Sequence, residues 1–134
     1  MLNFFSYASG WFFREHQKNS QPFVFFLMRL VLIQSEIDRI LKIAREDPTV
    51  ERIFLFGSAT RPETIHEESD IDLCIVQRTN RRFLDRLADW MDRLEPKAGL
   101  DLVVYTPEEF NSLRVSSEFV KKQIELNGKE IYAA

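Results

Sequence analysis

Apolar residues return at Ile33, Ile37, Ile40, Leu41 and Ala44 with charged residues between them, a spacing that predicts a helix over 33–44. Asp47-Pro48-Thr49 ends it, because a residue that precedes proline is pushed out of the helical region. The pattern then changes. Val50 to Phe56 is dense in branched and aromatic residues and predicts a strand that stops at Gly57-Ser58. Residues 59–69, with Pro62 and many charged or hydroxyl side chains, predict a connection containing one helical turn. Strand character resumes over Asp70 to Val76. Phe83, Leu84, Leu87, Ala88, Trp90, Met91 and Leu94 form an apolar stripe that predicts an amphipathic helix over 81–94, with Trp90 as a core residue. Leu100 to Tyr105 reads as a third strand. Thr106, Pro107 and Glu109 carry a helix start: a capping hydroxyl, a proline at the first helical position and an acid three residues after the cap. A last helix over 118–126 is closed by Asn127-Gly128, ahead of a short segment ending at Ile131-Tyr132. Strands alternating with helices predict a small α/β fold in which helices cover a sheet.

A chain of 134 residues supports one cooperative core. Seven of the twelve phenylalanines precede Met28, at 4, 5, 12, 13, 23, 25 and 26. Residues 1–30 are therefore read as an aromatic-rich extension or helix, and 31–134 as the folded domain. Three accounts of the leader stay open: a helix packed on the domain, an aromatic surface that meets a partner, or an extension ahead of an intended start at Met28. Arg14, Glu15, His16 and Lys18 interrupt any secretory signal, and the run from Phe23 to Ile33 is too short to span a bilayer. No membrane role is expected. A net charge of −3 gives no broad basic footprint for nucleic acid. The lone Cys74 excludes an internal disulfide, fits a reducing, cytoplasmic setting and reads as a packed core thiol.

The chemistry concentrates in residues 57–76. On a strand, Asp70 and Asp72 share one face while Ile71, Leu73 and Ile75 take the other. Two adjacent carboxylates repel each other, and burial makes each costlier to ionise. A divalent cation relieves both, and magnesium prefers oxygen ligands. Asp101, between Leu100 and Leu102, repeats the placement and joins the pair if the two strands are neighbours. Gly57-Ser58 offers backbone amides and a hydroxyl to phosphate oxygens, and Arg61 adds a charged donor. Each residue also has a plain structural account. Asp70 serves as a strand cap, Gly57-Ser58 as a simple turn, Asp101 as an exposed strand end, His66 as a loop histidine, and Ser69 as a turn residue without the partners of a nucleophile.

Gly57-Ser58, Arg61, Ser69-Asp70-Ile71-Asp72-Leu73 and Leu100-Asp101-Leu102-Val103 together resemble the minimal nucleotidyltransferases of the DNA polymerase beta superfamily. The resemblance covers about Ile33 to Tyr132. It implies a nucleotidyltransferase fold, a mixed β-sheet flanked by α-helices. It also implies that Asp70, Asp72 and Asp101 hold two magnesium ions, that Asp101 assists deprotonation of the incoming hydroxyl, and that Gly57, Ser58 and Arg61 bind the outer phosphates. Two departures stand out: eleven residues separate Ser58 from Asp70 where the family usually has ten, and Pro62 replaces a common glycine.

The activity so implied is transfer of a nucleoside monophosphate, with AMP from ATP as the expected case, to an acceptor hydroxyl with release of pyrophosphate. Small members of this kind are often antitoxins paired with an HEPN-domain RNase toxin, which provides an acceptor. The alternative is a catalytically weak or inactive antitoxin or scaffold that neutralises such a toxin by binding. Homo-oligomerisation is equally open, and polymerisation on nucleic acid is disfavoured by the acidic balance.

Overall fold

The computed structural model describes residues 20–134, with side chains from residue 23 onward. Helix α1 (Ser20–Arg45) leads into strand β1 (Val50–Phe56), two short 3-10 turns (Gly57–Thr60 and Pro62–Thr64) and strand β2 (Ile71–Gln77). Helix α2 (Phe83–Leu94), strand β3 (Leu100–Tyr105), helix α3 (Pro107–Ser116), a π-helix (Val120–Leu126) and strand β4 (Lys129–Ala133) follow. The strands form one mixed sheet in the order β3-β2-β1-β4. β1 runs antiparallel to β2 and β4, and β2 runs parallel to β3. The expected α/β architecture is present.

Strand alternation divides the molecule into two cores. Ile53, Leu55, Ile71, Leu73, Ile75 and Val104 project to one face, where α1 covers them with Leu30, Ile33, Ile37, Ile40 and Ala44, and α2 with Trp90 and Leu94. Phe54, Phe56, Cys74 and Val76 project to the other, beneath Phe110 of α3 and Val120 and Ile124 of the π-helix. Phe54 stacks on Phe110 with ring centroids 5.2 Å apart, so the second layer is pinned near its middle. Thr106 and Glu109 form the predicted capping box at the start of α3.

Several boundaries differ from the sequence reading. α1 begins thirteen residues before Ile33 (33 minus 20), and Phe26 and Leu30 enter the core from its first half. Phe4, Phe5, Phe12 and Phe13 of the leader lie outside the described residues. β2 starts at Ile71 rather than Asp70, because the Ile71 amide makes the first bond, 2.8 Å to the carbonyl of Gly99. The apolar stripe on α2 is also corrected: Phe83, Leu84 and Met91 are exposed, and Arg86 is buried beside Trp90 and Leu94. The Arg86 guanidinium tolerates burial because it donates to the carbonyls of Arg81 and Val104 and to both oxygens of Glu109. The last helix is π-helical, with the Asn127 amide bonded 3.0 Å to the Lys122 carbonyl. No described helix is long and apolar enough to cross a membrane.

Candidate functional site

β1 ends where β2 and β3 begin, so Phe56, Asp72 and Asp101 lie in one row across three strands. Phe56 pairs with Asp72, and Asp72 with Asp101. The two carboxylates occupy the same sheet face as Cys74 and Val103, at the rim where the smaller core gives way to solvent. Asp72 is half-buried and Asp101 exposed. Burial pushes the Asp72 carboxyl up to about 6, helped by the Asp101 charge and hydrogen bond and by the charge of Asp70. Asp72 and Asp101 thus stand side by side on neighbouring strands.

Asp70 stands just outside the strand and acts on Asp72 through charge alone. A Cβ added to Gly99 would come within 1.9 Å of Asp70 Oδ1, so Gly99 leaves the space that this carboxylate occupies. In the sequence, the one signal for this is the place of Gly99 two residues before Asp101. Gly57 does the same for Asp72: a Cβ there would stand 2.1 Å from Asp72 Oδ2, and its φ of +73° is one that L side chains rarely adopt. Among the described residues, no three His, Cys, Asp or Glu side chains gather closely enough to cage a metal ion. Asp72 and Asp101 stand in register on neighbouring strands, and Asp70 lies one residue ahead of β2.

Gly57, Ser58 and Arg61 line a cleft of about 220 Å³ that also includes Gln123 and Asn127 from the π-helix. Those two amides carried no signal in the sequence, since nothing local connects them with a turn more than sixty residues upstream. The intervening loop is held by ordinary contacts. Ser69 is buried and its hydroxyl accepts from the His66 amide 2.8 Å away, while its carbonyl accepts from the guanidinium of Arg29. Ser69 is a turn residue. His66 Nδ1 accepts from the Glu68 amide at 3.2 Å, a local contact within an exposed loop. Cys74 is fully buried, and burial pushes its thiol up to about 12, which removes it from nucleophilic chemistry.

The profile of the family Polymerase beta, Nucleotidyltransferase matches residues 38–134, which include every one of these site residues. A crystal structure from Sulfolobus solfataricus, described as a candidate nucleotidyltransferase, aligns with a TM-score of 0.51 and 18% identity, over 81% of this chain and 84% of that one. A variant of the toxin–antitoxin complex MntA–HpeT aligns with a TM-score of 0.50 and 24% identity, over 72% of each chain. No curated protein matches this chain.

Proposed function

Because the chain belongs to the polymerase beta nucleotidyltransferase family, we propose that it is an antitoxin-type protein that neutralises an HEPN-type RNase toxin by binding it, with a carboxylate edge suited to nucleotidyl transfer. The likeness in fold to one chain of a toxin–antitoxin complex supports the binding half. The observation that carries the transfer half is the Asp72–Asp101 register pair beside the Gly57 turn.

The donor set fits magnesium: it consists of oxygens alone, and the mutual pressure on Asp72 from Asp101 and Asp70 is what a divalent cation relieves. Asp70, Asp72 and Asp101 would hold the ion, whose charge would offset that of the transferring phosphate and the leaving pyrophosphate. Gly57 and Ser58 would bind the outer phosphates of ATP through amides and a hydroxyl, with Arg61 adding charge. The acceptor hydroxyl would attack the α-phosphorus in line, the bond to pyrophosphate would break, and Asp101 would take the hydroxyl proton.

A second reading keeps the binding and drops the turnover. It is favoured by the lack, among the described residues, of three acidic, His or Cys side chains gathered as a metal cage. Neutralisation by binding is common to both readings and is the better supported part. A cytoplasmic setting belongs to the same proposal.

The test is to copurify the chain with the proteins encoded beside it, add magnesium and labelled ATP, and measure intact masses and RNase activity. AMP on the partner, lost in Asp70→Asn and Asp72→Asn while the complex survives, establishes transfer. RNase inhibition that persists in both variants, with no mass change from any of the four nucleoside triphosphates, leaves binding alone. If no toxic partner copurifies, the antitoxin reading falls.

A further inference from the structure

The cleft beside Gly57 joins two elements remote in sequence. Ser58 and Arg61 come from the turn after β1, and Gln123 and Asn127 come from the π-helix. Val120 and Ile124 bury the opposite side of that helix in the core, and the Asn127–Lys122 backbone bond widens its last turn. Gly128 fixes the exit, since a Cβ there would stand 2.2 Å from the Ile124 carbonyl oxygen and 3.1 Å from that of Leu55. The π-helix is thus clamped to β1, with Gln123 and Asn127 on the cleft side.

Two cleft hydroxyls are already engaged: Thr60 donates to the Gly57 carbonyl, and Thr64 is bonded to the carbonyls of Ser58 and Arg61. In contrast, the side chains of Ser58, Arg61, Gln123 and Asn127 make no hydrogen bond or ion pair to any described residue. No carboxylate lines the cleft, so its only ionised lining group is the Arg61 guanidinium. No aromatic ring lines it either, so it lacks a surface on which a base would stack. Its 220 Å³ is below the roughly 300–1,000 Å³ of sites that enclose a whole drug-sized ligand. An unspent cation, a hydroxyl and two amides in a small cleft without acids match an extended phosphate anion.

We propose that Gln123 and Asn127 are positioning residues for the polyphosphate end of a nucleoside triphosphate. Their amide N–H groups donate to phosphate oxygens from the side opposite Ser58 and Arg61. This rests on the nucleotidyl-transfer reading and extends it to an element outside the family's Gly-Ser and paired-Asp motifs. Uncharged donors orient the anion without adding the charge that would retain it, so pyrophosphate can leave once the α-phosphorus bond has broken.

The experiment is calorimetric titration of the full chain with inorganic tripolyphosphate, ATP and AMP, each with magnesium. The variants are Gln123→Ala, Asn127→Ala and Gln123→Glu; both sites are exposed, and thermal melting verifies each fold. The expected result is weaker tripolyphosphate and ATP binding by roughly tenfold per amide lost, more for Gln123→Glu, with AMP affinity unchanged. Unchanged tripolyphosphate affinity in the variants, or an equal loss for AMP, overturns the assignment. If the wild-type chain transfers AMP and the variants leave the KM for ATP unmoved, this inference fails alone. If the wild-type chain binds neither ATP nor tripolyphosphate, the transfer reading fails with it.

Discussion

At the scale of single residues, Asp72 carries a cost that ties stability to pH. Its folded-state carboxyl is pushed up to about 6, above the usual aspartate range, so the folded chain holds this proton more tightly than the unfolded chain does. Stability from this group is therefore fullest below about pH 4 and declines as pH rises through 6. Asp72→Asn removes the penalty and should raise stability at pH 7.5 by about 1 kcal/mol, after allowance for solvent screening, with no gain at pH 4. Urea unfolding at both pH values measures it. Magnesium should stabilise the wild-type chain and leave the variant unmoved. Gly57 gives a second prediction. Gly57→Ala must place a methyl group where Asp72 Oδ2 lies and hold a φ of +73°, so a loss of about 1–3 kcal/mol in thermal or urea unfolding is expected. The paired aspartates were legible in the sequence because strand alternation fixes which residues share a face. Their glycine backing was not, since Gly57 meets Asp72 and Gly99 meets Asp70 only after the strands have assembled.

At the scale of elements, local chemistry was read well wherever it is local. The bounds of β1 and β3 coincide with the sequence reading, and so does the Thr106–Glu109 capping box. α2 was misread because periodicity finds an apolar stripe but cannot reveal a distant acid. Arg86 enters the interior only because Glu109, twenty-three residues on, receives it. The same helix ends with Glu95 in the left-handed region at φ 42°, a place that glycine fills at no steric cost. Glu95→Gly should therefore stabilise the chain by roughly 0.5–1 kcal/mol, read as a higher urea midpoint at unchanged slope. The π-helix was placed within two residues as an ordinary helix. Its widened hydrogen bonding has no sequence mark and depends on how Gly128 seats against Ile124 and Leu55.

At the scale of the whole molecule, β4 closes the sheet against β1, the strand that ends at the Gly57-Ser58 turn. Arg52 and Glu130 bridge the two strands, and Ile131 and Tyr132 pack on the larger core. A chain ending at Gly128 leaves β1 as a bare edge and should lose roughly 3 kcal/mol or more, with self-association visible by light scattering. The order β3-β2-β1-β4 itself was not legible, because pairing the last strand with the first requires contacts across most of the domain. Finally, the only sulfhydryl in the chain lies fully buried beneath Phe110, Val120 and Ile124. Alkylating reagents should reach Cys74 only when the second layer lifts from the sheet, so its modification rate serves as a built-in clock for opening. Nucleotide bound between the Gly57 turn and the π-helix should slow that clock, giving a measure of occupancy from a residue outside the cleft.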